Sequence, residues 1–223
     1  MQNSYLPNAN NSSSSWIHSE NAFKLGVALA FSAVALVLRF APLPENFACF
    51  GALSIFAGFV LRGPARWAIP LVSFFVADCL GQLLSEPGMG FYYLPSMILN
   101  YAGFAAMILV GSLASKFHKN VDQDWMPWAT VIGTSLVGSI SFFLISNLGA
   151  WLDPIMGYDR TISGLIRCYW MGLPFFTTTW MSDLSFGVGF YGVYRLVRFG
   201  IVSLSQKPAP LAPHRGDGPG VRG

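Results

Sequence analysis

Hydrophobic residues form six long stretches along the chain, and polar or Pro/Gly-rich segments separate them. A membrane-spanning helix needs roughly 17–25 predominantly apolar residues, which each stretch approaches or exceeds. The six stretches occupy residues 22–41, 47–62, 66–84, 93–115, 127–151 and 174–199. The segment of residues 161–173 is shorter and more polar than these stretches, which predicts an interfacial or re-entrant helix that leads into the sixth span. The pattern predicts an all-α integral membrane protein, a compact bundle of six transmembrane helices with a short interfacial helix before the last.

Composition supports a membrane protein and limits its domain organisation. Charged residues make up 10% of the 223 residues and hydrophobic residues 53%, whereas soluble domains carry about 25% charged residues. The Ser- and Asn-rich residues 1–19 and the Pro/Gly-rich residues 201–223 predict disordered cytoplasmic tails. Residues 20–200 are then the transmembrane domain, and no room is left for a large soluble domain.

Lysine and arginine residues predict the orientation of the chain. With the N-terminus inside the cell, ten of them lie on the inner side and three on the outer side, as the positive-inside rule requires. Six spans then place both termini in the cytoplasm of a bacterium, with the bundle in its inner membrane. The basic residues lie near the ends of the spans and the net charge is only +3, which argues against nucleic acid as a partner.

Polar side chains within the spans gather in the outer half of the predicted bundle. At 1.5 Å per residue, Asp78 lies roughly 18 Å above the inner surface, and Asp183 and Asn100 lie roughly 13 and 10 Å below the outer one. Asn147 and Arg39 lie near the outer ends of their spans. Carboxylates are rare in lipid because their burial is costly, so the set predicts a binding cavity that opens outward. The alternative is that these groups join helices to one another, or that the aspartates pair with Arg39.

Small residues form a ridge on the first span. Ala22, Gly26 and Ala30 recur at every fourth position, and such a ridge lets another helix approach closely. The ridge is explained either by packing within the bundle or by docking to a separate membrane subunit.

The motifs of several enzyme classes are missing from the sequence. It contains no P-loop, no His-Glu-x-x-His and no Gly-x-Ser-x-Gly. The three histidines lie outside the spans, and the three cysteines show no Cys-x-x-Cys spacing. The sequence therefore predicts neither a metal site nor a bound cofactor.

Four segments resemble a known group of membrane proteins. They are residues 46–53, residues 142–151, residues 158–169, and residues 172–176 with the following Asp183. These segments resemble the S components of energy-coupling-factor transporters, the substrate-binding membrane subunits of vitamin uptake systems. Within that class they are most similar to a group of uncharacterised bacterial proteins described as S-component-like. The similarity extends over roughly residues 20–199.

The resemblance implies how the protein works. An S component captures a small molecule from outside in a pocket covered by the loop between helices one and two, here residues 41–46. The loaded subunit docks, through small residues of its first helix, on a transmembrane coupling subunit that two ATPases drive. The usual docking motif is Ala-x-x-x-Ala, whereas this chain has Ala22-x-x-x-Gly26-x-x-x-Ala30.

The leading hypothesis is a substrate-binding subunit for uptake of a vitamin-like molecule or precursor, which is not itself an enzyme. Amide, aromatic and charged side chains near the outer surface are its predicted binding residues: Asn147, Trp151, Asp183, Asp78, Asn100, Tyr169 and Arg39. One alternative is a stand-alone secondary transporter in which one of the two aspartates relays protons. Others are an intramembrane enzyme that uses the aspartates as acid and base, and a purely structural membrane protein.

Overall fold

A computed structural model describes residues 9–84, 90–118 and 128–205. Within these ranges every regular element is a helix, which confirms the predicted all-α class. The helices are α1 (Ala9–Arg39), α2 (Phe50–Val60), α3 (Ala65–Leu84), α4 (Leu94–Phe117), α5 (Trp128–Leu152), a 3-10 helix (Pro154–Met156) and α6 (Ile162–Ser205).

Four of these helices are long and apolar enough to cross a membrane. The candidate spans are residues 20–39 of α1, 65–84 of α3, 94–117 of α4 and 128–152 of α5. Large apolar side chains lie on their outer faces, among them Val37 and Leu83, which are 72% and 79% exposed. Such surfaces suit contact with lipid. These helices indicate a membrane protein.

The second apolar stretch forms a short helix at the centre of the bundle. α2 has 11 residues and is about 16 Å long, roughly half the thickness of a bilayer core. All of its residues are buried, and it packs against α1, α3, α4, α5 and α6. A helix that is hydrophobic on every side is buried by protein or by lipid, and here the covering is protein. The structure therefore differs from the sequence prediction, which made this stretch a full span.

The backbones of α2 and α4 lie in direct contact. A Cβ atom added at Gly58 would overlap the carbonyl oxygen of Ile108, and one at Gly111 would overlap that of Ile55. The Ser112 hydroxyl also donates a hydrogen bond of 3.2 Å to the Gly58 carbonyl. These glycines lack the side chains that would hold the two helices apart. α2 and α4 therefore pack tightly along the part of the bundle that α2 occupies.

α6 joins two elements that the sequence analysis separates. The predicted interfacial helix, residues 161–173, and the sixth span, residues 174–199, form one helix of 44 residues with Pro174 inside it. A proline inside a helix removes one backbone hydrogen bond, but helices in membrane proteins tolerate it where other groups replace that bond. The bond lost here is the one that the carbonyl four residues earlier, of Trp170, would accept, and the helix continues beyond Pro174 to Ser205. Pro174 therefore marks the predicted boundary without ending the helix.

Both ends of the helical domain extend into the predicted tails. α1 begins at Ala9 and α6 ends at Ser205, because adding a residue to an existing helix costs far less than starting a new one. Residues 1–8 and 206–223, the remainder of the predicted tails, lie outside the described residues.

α1 attaches to the bundle through one face only. The Phe31 ring stacks on Phe190 at 4.2 Å, and the Phe23 ring stacks on Tyr194 at 5.7 Å. Ala28, on the same face, is fully buried. The small-residue ridge lies on another face, because all of its members are exposed: Ala22, Gly26 and Ala30. The ridge therefore takes no part in packing within the bundle as the structure describes it.

We expect Gly58→Ala to destabilise the bundle, because the new methyl group would meet the backbone of α4. Overpacking of this kind costs about 1–3 kcal/mol, so the unfolding temperature in detergent should fall. Gly133→Ala is the matched control, since a Cβ there has no neighbour within 4 Å. Equal unfolding temperatures for the two variants would contradict the close contact.

Candidate functional site

A cavity of about 670 Å³ lies at one end of the bundle. At this end, called the cavity end below, α1, α3 and α5 finish, and α4 and α6 begin. Its lining consists of polar side chains from five helices and a wall of aromatic rings. The polar and charged side chains are those of Arg39, Asn46, Asp78, Tyr92, Ser96, Asn100, Ser146, Asn147, Asp153, Tyr158, Cys168, Thr179 and Asp183.

The cavity exists because α2 begins only halfway along the bundle. The Phe50 ring, at the start of α2, lies 6.4 Å from the Phe104 ring. Phe104 is ten residues, about 15 Å, beyond the first residue of α4. Residues 40–49 connect the end of α1 to this depth as a loop, in which Asn46 adopts a φ of 60°. At the cavity end, the centre of the bundle therefore contains this loop and no helix, and the space beside the loop is the cavity.

Asp183 fixes the depth at which α2 begins. Its side chain is 1% exposed. Its carboxylate accepts a hydrogen bond from the Ser139 hydroxyl at 2.7 Å and faces the backbone N–H of Ala52. The first N–H groups of a helix have no partner within the helix, and Cys49, the N-cap residue of α2, makes no side-chain cap. The Asp183 carboxylate on α6 therefore caps α2 from outside the segment.

The preceding residue holds the same junction. The Ser182 hydroxyl donates to the carbonyl oxygen of Ala48 at 2.6 Å. A Cβ atom added at Gly51 would overlap the Asp183 carboxylate, so this position of α2 admits only glycine at the observed distance. Together these contacts place the positive end of the α2 dipole against a carboxylate, the favourable arrangement of charge.

A second cluster of polar side chains lies on α1, α3, α4 and the loop before α4. Asp78 is 4% exposed and accepts a hydrogen bond of 2.9 Å from the Tyr101 hydroxyl. The Arg39 guanidinium interacts electrostatically with Asp78 and with the Tyr92 hydroxyl. Asn100 donates to the Tyr92 hydroxyl. Tyr92 lies in the loop before α4, where burial raises the pKa of its phenol, so the group remains a neutral donor at physiological pH.

The facing wall is held together by hydrogen bonds between and within α4, α5 and α6. The Asn147 amide donates to the Phe143 carbonyl at 2.9 Å, and the Cys168 thiol donates to the Asn147 carbonyl at 3.4 Å. Ser96 on α4 donates to the Gly149 carbonyl on α5 at 2.8 Å. These bonds fix the polar groups on this side of the cavity.

Asp153 caps the 3-10 helix that follows α5. One of its oxygens accepts from the backbone N–H of Ile155 at 3.0 Å. The other lies 3.4 Å from the Ser96 hydroxyl, whose single proton is nearer to the Gly149 carbonyl. The residue is 4% exposed. This buried carboxylate therefore has a structural role as a helix cap, with a backbone donor on one oxygen and a hydroxyl group beside the other.

Aromatic rings provide the apolar part of the lining. The Phe74 and Phe104 rings lie 4.5 Å apart, and the Phe104 and Phe142 rings 4.8 Å apart, both in tilted arrangements. Met107 and Phe175 extend this surface. Such a surface suits the apolar body of a small organic molecule.

The structure brings together five of the seven predicted binding residues. They all line the cavity: Arg39, Asp78, Asn100, Asn147 and Asp183.

The other two predicted residues lie outside the cavity lining. The Trp151 indole N–H donates to the Asp159 carbonyl at 2.8 Å, and Arg160 lies 5.6 Å from the centre of its ring. The Tyr169 hydroxyl donates to the Leu144 carbonyl at 2.7 Å. Both side chains bind backbone carbonyls near the rim.

Several lining residues escaped the sequence analysis, although helical periodicity could have found some of them. Ser96 lies one turn before Asn100, and Thr179 lies one turn before Asp183, so each shares a face with a residue already chosen. Ser146 lies beside Asn147 in sequence. Asp153 could have been recognised as a capping residue because a proline follows it.

The two aspartates, Asp78 and Asp183, line the same cavity with different partners. Asp78 is bonded to Tyr101 on α4, whereas Asp183 is bonded to Ser139 on α5 and to α2. Their hydrogen bonds therefore do not join them as an acid–base pair. Among the residues that the structure covers, no three His, Cys, Asp or Glu side chains lie close enough together to hold a metal ion.

Residues 19–205 match a protein family described as a family of unknown function, DUF6580. The chain belongs to this family. No curated protein and no solved structure matches the chain. The family match covers nearly all of the described helices, including every residue that lines the cavity.

We expect Asp183→Ala to lower the stability of the bundle by about 1–3 kcal/mol, because the buried N–H groups at the start of α2 lose the carboxylate that faces them. The Ser139 hydroxyl keeps the Ser135 carbonyl as an acceptor, at 2.8 Å. Asp183→Asn keeps an acceptor oxygen and should cost less. Thermal unfolding measures both changes, and hydrogen exchange should show faster opening of the first turn of α2 in the alanine variant. The control is Asp159→Asn on the exposed surface. Unchanged exchange at residues 50–53 in Asp183→Ala would contradict the capping role.

Proposed function

We propose that this protein is a membrane subunit that binds a vitamin-like small molecule or precursor from the outside of a bacterial cell. In this proposal a partner-supplied ATPase drives uptake, as the resemblance to energy-coupling-factor S components implies. The observation that supports the proposal most strongly is the cavity. It lies inside a bundle with a lipid-compatible surface, and polar groups from five helices converge on it.

The size and lining of the cavity favour binding of a small organic molecule. Ligand sites occupy about 300–1,000 Å³ and combine a largely apolar wall with a few fixed polar groups. The cavity of about 670 Å³ has an aromatic wall and polar side chains that hydrogen bonds already hold in place. Groups fixed before binding reduce the entropy that a ligand must lose.

The distribution of basic residues supports an outward-facing cavity in the inner membrane. At the end opposite the cavity lie six of the described lysines and arginines: Lys24, Arg62, Arg66, Lys116, Arg195 and Arg198. Three lie at the cavity end, Arg39, Arg160 and Arg167. The positive-inside rule then places both termini in the cytoplasm. In this topology the chain crosses six times, and the loop 40–49 together with α2 makes the second crossing.

The exposed ridge on α1 supports docking to a transmembrane coupling subunit. Ala22, Gly26 and Ala30 face away from the bundle, and a Cβ at Gly26 would meet no atom within 4 Å. Small residues on an outward face let a second helix approach to backbone distance. In this proposal the coupling subunit covers that face of α1.

Filling the cavity should abolish ligand retention. We expect wild-type protein, purified in detergent and incubated with a bacterial small-molecule extract, to retain a compound that mass spectrometry detects. Ala150→Trp places a large ring in the lining and should release it. Ala129→Trp is the matched control, because Ala129 is exposed on the same helix. Equal retention by the two variants would rule out this cavity as the site.

Enlarging the ridge should separate docking from ligand binding. We expect Gly26→Leu to keep its fold and its bound compound, but to lose the ATPase activity that co-purifies with the tagged protein from its native membrane. Gly133→Leu is the matched control, since a Cβ at either glycine has no neighbour within 4 Å. Co-purifying ATPase activity that persists in Gly26→Leu, or that is missing from the wild type, would contradict docking through α1.

A further inference from the structure

The charged groups of the cavity differ in how far the protein already satisfies them. The charged side chains of the lining are Arg39, Asp78, Asp153 and Asp183. Asp153 caps the 3-10 helix through the Ile155 N–H, and its other oxygen lies 3.4 Å from the Ser96 hydroxyl. Asp183 is occupied by Ser139 and the start of α2. These two carboxylates have structural partners.

The other two charges have unused capacity. Asp78 accepts one hydrogen bond, from Tyr101 to Oδ2, and Oδ1 receives none from the residues that the structure covers. Arg39 makes neither a hydrogen bond nor an ion pair with any residue in those ranges, although it attracts Asp78 and Tyr92 electrostatically. A guanidinium has five N–H donors. The cavity thus presents an acceptor and a set of donors of opposite charge that do not bond to each other.

We propose that the ligand is a zwitterion whose amine binds Asp78 and whose acid group binds Arg39. Its apolar or aromatic body packs against Phe74, Phe104 and Phe142. This inference rests on the proposed function, because it names the ligand class of the same cavity.

Electrostatics disfavour the other charge types. A plain anion satisfies Arg39 but lies beside three carboxylates, and a plain cation leaves Arg39 without a partner in a site from which water is displaced. A neutral molecule leaves both charges unpaired, and an unpaired charge removed from water is strongly unfavourable. A zwitterion satisfies the two available groups and keeps the net charge of the site unchanged.

The test compares charge forms of the same compound on the intact, detergent-purified chain. Phenylalanine, tryptophan and 4-(aminomethyl)benzoate are each measured as the zwitterion, as the amide of the acid and as the N-acetyl derivative. Thermal shift over a concentration series gives the affinities. We expect at least one zwitterion to bind roughly tenfold or more tightly than both of its capped forms, because each capped form loses a charged hydrogen bond. A capped form that binds as tightly as its zwitterion would overturn the proposal.

Two variants assign the groups within the site. Arg39→Gln should remove the preference for the zwitterion over the amide, because the acid group loses its partner. Asp78→Asn should remove the preference for the zwitterion over the N-acetyl form. The asparagine still offers an acceptor oxygen to the Tyr101 hydroxyl. Arg167→Gln is the control, because Arg167 is exposed at the same end and lies outside the lining. Preferences that remain unchanged in both site variants would overturn the assignment.

The retention experiment with the bacterial extract separates this inference from the proposed function, because it detects a bound compound of any charge. A retained zwitterion supports the ligand class even where none of the nine probes binds. A retained neutral or singly charged compound overturns the ligand class and leaves the binding function standing. Absence of any retained compound counts against the function itself.

Discussion

The contact between the Asp183 carboxylate and the first turn of α2 determines what the rest of the bundle can do. It joins the middle of α6 to the start of a helix too short to cross the bundle, at a depth where water cannot satisfy the free N–H groups. Ser139 and Ser182 secure the two sides of this junction. Because α2 begins here, one half of the bundle has a central helix and the other half has a cavity.

The two halves are built from opposite kinds of residue. Around α2, glycines at positions 58 and 111 bring helix backbones into contact. At the cavity end, large aromatic rings and hydrogen-bonded polar side chains line the space that α2 does not occupy. The half of the bundle that contains α2 therefore forms the closed bottom, or floor, of the cavity. A molecule bound in the cavity would need α2 to move in order to leave through this half. This asymmetry is what a subunit that accepts its cargo from one side requires.

Simple depth arithmetic on the sequence predicted which end of the bundle several polar residues share, because a helix advances 1.5 Å per residue. It placed Arg39, Asp78, Asn100, Asn147 and Asp183 at one end, and all five line the cavity. Depth does not say which way a side chain faces, so Trp151 and Tyr169, chosen at the same level, bind backbone carbonyls instead. Hydrophobicity likewise does not distinguish burial by lipid from burial by protein, which is why α2 resembled a full span in the sequence.

α1 is the element that touches both surfaces of the proposed function. Its last residue, Arg39, lines the cavity, and the ridge that includes Gly26 lies on the outward face of the same helix. Stacked rings such as Phe31 on Phe190 attach α1 to α6, the helix that also carries Asp183. A ligand that binds Arg39 therefore acts on the helix that a coupling subunit would contact. In the proposed function, binding and docking would therefore share one helix, and a change at one end of α1 would reach the other along its backbone.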